Sequence, residues 1–154
     1  RVGNGLFFSY PGYSEILAGS HHPEVKSNDP IRNPQTTVLE YVQREMKLPY
    51  TGVAAFCSWS VFNGIVSKAE EPFYCNAGYE AVPDKLLTEP MKVWNDAQFD
   101  MMTPWDHVRF DKVTFELALA FLDEYEPTLT LLGLGEPDDW AHNRRYDRVI
   151  ESAR

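Results

Sequence analysis

The run Val53-Ala54-Ala55-Phe56-Cys57, entered through Gly52, holds five apolar residues in a row. A strand with one wet face alternates apolar and polar residues. An unbroken run of strand length suits a strand buried on both faces, which requires helical layers above and below it. A second such segment, Thr128 to Leu132, follows a helical stretch and Pro127. Phe73-Tyr74-Cys75 is a third, shorter candidate that ends at Asn76-Ala77-Gly78. Strands alternating with helices predict an α/β fold with a mostly parallel central sheet flanked by helices.

Helical periodicity fills the spaces between these runs. Pro11 and Gly12 predict a turn, with a short helix over Ser14 to Ala18 closed by Gly19. Residues 20–35 read as a loop containing Pro23, Pro30 and Pro34. Thr36 or Thr37 caps the next helix, with Val38, Leu39, Val42 and Met46 at helical spacing, and Pro49 ends it. A helix carrying Val61, Phe62, Ile65 and Val66 follows Ser58-Trp59-Ser60. Residues 79–104 read as a surface excursion with a helical piece at Met91 to Trp94. Asp111 is the expected N-cap of a helix whose Val113, Leu117, Phe121 and Tyr125 face a core. Tyr146 to Arg154 is helix-like without a stop signal.

Composition narrows the class. With 154 residues, 44% of them hydrophobic, the chain can bury one core and is not disordered. No apolar run approaches the length of a membrane span. The net charge of −9 argues against a partner that presents a nucleic-acid duplex backbone. It leaves anionic substrates open, since bound cations reverse a local field. Cys57 and Cys75 lack metal-type spacing and are expected as free, buried thiols, with pairing not fixed by sequence.

The chemistry-bearing segment is Gly135-Glu136-Pro137-Asp138-Asp139-Trp140-Ala141-His142, just past the apolar run Leu129 to Leu134. Asp138 and His142 are four apart, so one turn of helix puts both on one face. An oxygen and a nitrogen donor so placed suit one edge of a Zn²⁺ site but cannot close it. The carboxyl ends of strands are where open α/β sheets bind ligands. The plainer reading makes Asp138 or Asp139 a helix cap and His142 a surface residue. Asp139 is expected to point away, and Glu136 to be a turn carboxylate or to orient a ligand. His21, His22 and His107 are expected at the surface. Trp59, Asn76 and Trp140 are candidates for a pocket lining, and Arg144, Arg145 and Arg148 for a solvated helix face.

Pro137-Asp138-x-x-Ala141-His142 resembles the Pro-Asp-x-x-Gly-His metal segment of the alkaline phosphatase superfamily, in its nucleotide pyrophosphatase and phosphodiesterase branch. Ala141 stands where that branch has Gly. Ser9-Tyr10-Pro11, leading to Leu17-Ala18-Gly19, is similar to the branch's Thr-Phe-Pro and the helix ending in Thr-Gly. Its Thr is nucleophile and metal ligand; Ser9 falls on it, and other members use Ser. Asn28, in a loop about two residues shorter than the branch's, falls near an Asn that contacts phosphoryl oxygens. The texture of phosphoglyceromutase-like bacterial members is also present. It runs through Ser9–Tyr13, Ser27–Asp29, Asn33–Glu40, Asn76–Gly78 and Gly133–Glu136. The likeness thus spans nearly the whole chain.

The resemblance implies that residues 1–154 are the central part of a single alkaline phosphatase-like catalytic domain. Further metal ligands, an upstream Asp and a downstream Asp-His and His, then lie outside the chain, which alone is expected to be inactive. It implies two divalent ions, Zn²⁺ or Mn²⁺, with Asp138, His142 and Ser9 as ligands. It implies a small phosphorylated substrate, Ser9 as nucleophile and Asn28 as a contact to the phosphoryl oxygens. Ser9 would attack in line to give a phosphoserine, which water then hydrolyses. Periplasmic or extracellular location is common in such families. Two other outcomes stay open: a phosphomutase of the phosphoglycerate type, and a catalytically inactive structural or binding piece. A sulfatase is disfavoured, because Tyr13 stands where Cys/Ser-x-Pro-x-Arg requires Arg.

Overall fold

The computed structural model describes residues 2–154; the sequence of residues 1–5, Arg-Val-Gly-Asn-Gly, reads as a loop, and its first residue, Arg1, lies outside the described residues. The elements are α1 (Ser9–Ala18), α2 (Val38–Glu45), β1 (Val53–Cys57), α3 (Phe62–Ile65), β2 (Tyr74–Ala77), α4 (Glu89–Asp100), α5 (Asp111–Tyr125), β3 (Leu129–Gly133), α6 (Glu136–His142) and α7 (Tyr146–Ser152). The fold is α/β. Three parallel strands in the order β2-β1-β3 form the sheet, with helices on both faces.

β1 is the centre, and all five of its residues are buried. Its alternate side chains serve two cores. Val53, Ala55 and Cys57 meet Tyr10, Leu17, Leu39, Phe62 and Ile65 from α1, α2 and α3. Ala54 and Phe56 meet Met91, Val113, Leu117 and Phe121 from α4 and α5. This is why the run contains no polar residue: neither face is wet. β3, by contrast, is only half-buried and its Leu132 is exposed, so its apolar run belongs to a sheet edge.

Register aligns the strand ends. Cys57 pairs with Ala77 on one side and with Gly133 on the other, so the three carboxyl ends lie side by side. Two glycines permit this closeness. A Cβ at Gly133 would sit 2.8 Å from the sulfur of Cys57. At Gly78 the backbone is left-handed (φ +65°), and a Cβ would come within 2.6 Å of Ser60.

Several local expectations are corrected. Pro11 and Gly12 do not turn the chain but lie inside α1, which begins at Ser9 after the extended Phe8. Proline in a first helical turn has no intrahelical hydrogen bond to lose. Gly19 closes the helix at φ 76°, its N–H reaching the Glu15 carbonyl at 2.9 Å. Thr37 caps α2 in a capping box with Glu40, but the buried face there is Leu39 and Glu40, while Val38 and Met46 are exposed. The segment 79–104 is more than an excursion, since α4 buries Met91, Asn95 and Gln98. Both cysteines are free thiols, Cys57 buried and Cys75 half-buried. No described helix is long and apolar enough to cross a membrane.

Candidate functional site

A cleft of about 390 Å³ opens over the carboxyl ends of β1 and β3. Ser9, Asn28, Asp138 and His142 all line it. They come from opposite ends of the sequence, so the fold itself has brought them together. Tyr13, Trp59, Phe62 and His107 line it as well.

The amino-terminal wall is built by Tyr10. Its ring is fully buried, its hydroxyl donates to the Ile31 carbonyl at 2.7 Å, and its N–H donates to Asn28 Oδ1 at 2.9 Å. Asn28 is thereby fixed beside Ser9 with its carbonyl oxygen occupied and its NH₂ left to donate. Ser9 is the first helical residue rather than the cap, which is Phe8 and forms no side-chain cap bond. Ser9 therefore does not cap the helix it begins. Its hydroxyl has no hydrogen bond among the described residues, and it is exposed to the cleft. The helix end offers an anion less than sequence suggests: the Tyr10 amide is taken by Asn28 and Pro11 has none. The Ser9 amide remains unsatisfied within the helix.

The other wall is the start of α6, held by a reciprocal clamp. Asp111 Oδ1 and Oδ2 accept the N–H groups of Gly135 and Glu136 at 2.8 and 2.9 Å. Glu136 Oε2 in turn accepts the Asp111 N–H at 2.8 Å. Each carboxylate thus caps the other's helix, which is the capping-box exchange carried across two elements. Ser58 Oγ, at the end of β1, also donates to Asp111 Oδ1 at 2.5 Å. The expectation that Asp111 caps α5 is corrected: Asp111 is the first residue of α5, after Phe110, and its carboxylate caps α6 instead. Only the Asp-to-helix-start pattern was legible, not the helix it serves.

On α6, His142 Nε2 lies 3.5 Å from Asp138 Oδ2, and both side chains are exposed. Taken alone this is an ordinary surface pair of small energetic weight. Its place in the cleft distinguishes it. Asp139 does not point away: it lines the same cleft and is the more buried of the two acids. Burial, then the charges of Asp138 and Asp111, push its carboxyl up to about 6. Glu136 is also raised, by burial first. Tyr13 is raised by burial and then by Asp138. Burial is the largest cause in all three cases, and neighbouring carboxylates add to it.

Other candidates are placed elsewhere. Asn76 is fully buried under the strand ends, where its Oδ1 accepts from Arg109 at 2.6 Å, so it lines no pocket. Trp140 packs edge-on against Trp105 at 4.8 Å and donates weakly to Glu136. Arg145 and Arg148 pair with Asp147 and Glu151 at the surface. His21 is exposed and His22 half-buried in the loop after α1.

No family model, curated protein or solved structure matches this chain. The alkaline phosphatase likeness therefore rests on the sequence motifs alone.

The donor set fits one edge of a metal site. Two donors about 2.0–2.2 Å from a tetrahedral ion stand about 3.3–3.6 Å apart, and the Asp138–His142 separation is of that size. No group of three or more His, Cys, Asp or Glu side chains suited to a metal occurs among the described residues. Asp138 and His142, with the Ser9 hydroxyl across the cleft, would be this chain's contribution.

Proposed function

We propose that this chain carries the nucleophile and half of one metal site of a metal-dependent phosphoryl-transfer hydrolase, a phosphodiesterase or phosphomonoesterase of the alkaline phosphatase type. The supporting observation is the shared cleft: Ser9, Asn28, Asp138 and His142, the residues on which the motif likeness falls, all line it. Divalent ions, Zn²⁺ or Mn²⁺, would be held by Asp138, His142 and Ser9 and by ligands beyond these 154 residues. When bound they supply charge neutralisation and activation of the attacking oxygen.

The chain's own residues do the remaining work. Ser9 presents an unengaged hydroxyl at the start of α1, where the helix dipole favours a phosphoryl group. Asn28 Nδ2 is oriented to donate to a non-bridging oxygen, because Oδ1 is held by the Tyr10 amide. Trp59, Phe62 and Tyr13 add aromatic surface to the lining of the cleft.

The test uses the full-length protein. Asp138→Ala and His142→Ala are expected to lower bound zinc, measured by elemental analysis, together with ester hydrolysis. Ser9→Ala is expected to abolish the trapped phosphoserine while zinc at Asp138 and His142 persists. A Ser9→Ala protein with full turnover, or a wild-type protein that takes up no divalent metal, refutes the proposal. Interconversion of phosphoglycerates without phosphate release would make the protein a mutase instead.

A further inference from the structure

Ser58 follows the last residue of β1 and is completely buried. Every polar group it has is engaged. Its N–H donates to the Gly133 carbonyl at the end of β3, at 2.8 Å, and its carbonyl accepts the Arg109 N–H at 3.0 Å. Its hydroxyl lies 2.5 Å from Asp111 Oδ1 and 2.9 Å from Thr114 Oγ1.

The direction of these bonds follows from which groups can donate. A carboxylate only accepts, so the single hydroxyl proton of Ser58 goes to Asp111. The Thr114 hydroxyl is then the donor to Ser58 Oγ. Thr114 Oγ1 in turn accepts from Arg109 Nε at 2.8 Å. A directed chain results, from the buried guanidinium through two hydroxyls to the carboxylate. Arg109, Thr114 and Ser58 are all completely buried. Where water is excluded, each bond of such a chain polarises and strengthens the next.

The carboxylate at the far end of the chain is the one that holds α6. It accepts the N–H groups of Gly135 and Glu136. Helix α6 has no buried residue, so no packed apolar stripe sets its place. Its start is fastened by the clamp, and its middle by Trp140, edge-on against Trp105. What orients the Asp111 carboxylate therefore orients the frame on which Asp138 and His142 stand.

We infer that Ser58 is a positioning residue for the metal donors of α6: its hydroxyl, fed by Thr114 and Arg109, fixes Asp111 and through it the placement of Asp138 and His142. This inference rests on the phosphoryl-transfer reading, which makes those two residues metal ligands. Partners that orient ligands are commonly worth roughly 10–100-fold in metal affinity, and Ser58, which acts through Asp111, belongs at the lower end.

The experiment measures zinc dissociation constants of the full-length protein and amide hydrogen exchange in its metal-free form. Ser58→Ala removes one oxygen and no carbon. It is expected to weaken zinc binding roughly tenfold and to speed exchange at the Gly135 and Glu136 amides. Thr114→Val should do the same, whereas Thr114→Ser, which keeps the relaying hydroxyl, should match wild type. In an Asp111→Ala background, Ser58→Ala should change zinc affinity no further, because the two act in series. Thr37→Ala removes the cap of α2, far from α6 in the chain, and serves as the control for general destabilisation. It should leave zinc affinity unchanged. Wild-type zinc affinity or wild-type exchange in Ser58→Ala, additive losses in the double variant, or an equal loss in Thr37→Ala overturns the inference. Those results leave the phosphoryl-transfer reading standing as long as zinc still depends on Asp138 and His142. A wild-type protein that takes up no divalent metal defeats that reading first, and this inference with it.

Discussion

Two polar clusters lie within the same end of the sheet and obey opposite rules. Below the strand ends, Arg109 is completely buried. Its guanidinium donates to Asn76 Oδ1, the Asn76 carbonyl, Gln98 Oε1 and Thr114 Oγ1, at 2.6 to 3.2 Å. No carboxylate among the described residues pairs with it, and burial lowers its pKa to about 10, which still leaves it charged near neutrality. Above the strand ends, Ser9, His107, Asp138 and His142 border an open cleft, and most of their polar atoms are unengaged. A charge inside must find every partner within the fold, because leaving it unpaired is costly. Polar groups at a cleft can wait for a partner, because water meanwhile serves. The difference teaches that the buried cluster is scaffold and the open one is left free to meet a ligand, though both use the same residue types.

That contrast can be broken most forcefully at Arg109. Arg109→Met should cost about 3 kcal/mol or more, since buried acceptors on Asn76 and Gln98 lose a charged donor. Urea unfolding would read this as a lower midpoint at constant slope. A loss below about 1 kcal/mol would show that the cluster does not hold the strand ends together.

Asp111 is intermediate, being scaffold that touches the site. Asp111→Ala removes acceptors from Gly135, Glu136 and Ser58 and should cost about 1–2 kcal/mol, as lost caps do. It should also weaken metal binding by α6. Unchanged zinc affinity would mean that the clamp does not orient Asp138 and His142.

For the open cluster the expectation reverses. Asp138→Ala and His142→Ala should each change stability by no more than about 0.5 kcal/mol, because the pair is exposed. A larger loss of stability would move the pair into the scaffold.

The smallest effect is a pH dependence. The carboxyl of Asp139 titrates at about 6 in the folded chain, above the roughly 3.9 of an unfolded Asp. Between these values the folded state binds more protons, so the Asp139 contribution favours folding at low pH and is lost as pH rises through about 6. Metal-free Asp139→Asn should therefore flatten the decline in thermal midpoint from pH 5 to 7 by a small margin. A parallel decline in both proteins would show that Asp139 is better solvated than its position implies.

The comparison also shows where sequence was informative. The Val53–Cys57 run predicted a doubly covered strand, and the Val113, Leu117, Phe121 spacing predicted the covering helix; both patterns are local and repeat with the element's own period. The convergence of Ser9 and Asp138 was reached through motif likeness alone. Sequence reasoning missed Asp139, because its neighbour's assignment to the cleft suggested the opposite face. In the fold both acids line the cleft. His107 and Arg109 carried no usable signal: an isolated His in a polar loop and an isolated Arg usually mark the surface.

The order of apolar runs and helical stripes by itself determined an α/β chain with a fully covered central strand and a ligand-type segment after a strand end. Which carboxylate caps which helix, which arginine is buried and which histidine meets the cleft were decided only by the tertiary structure. The physical reason is range: periodicity records how a residue faces its own element's neighbours. A cap such as Asp111 on Gly135, or a contact such as Asn28 on Tyr10, depends on where two distant segments come to rest after packing.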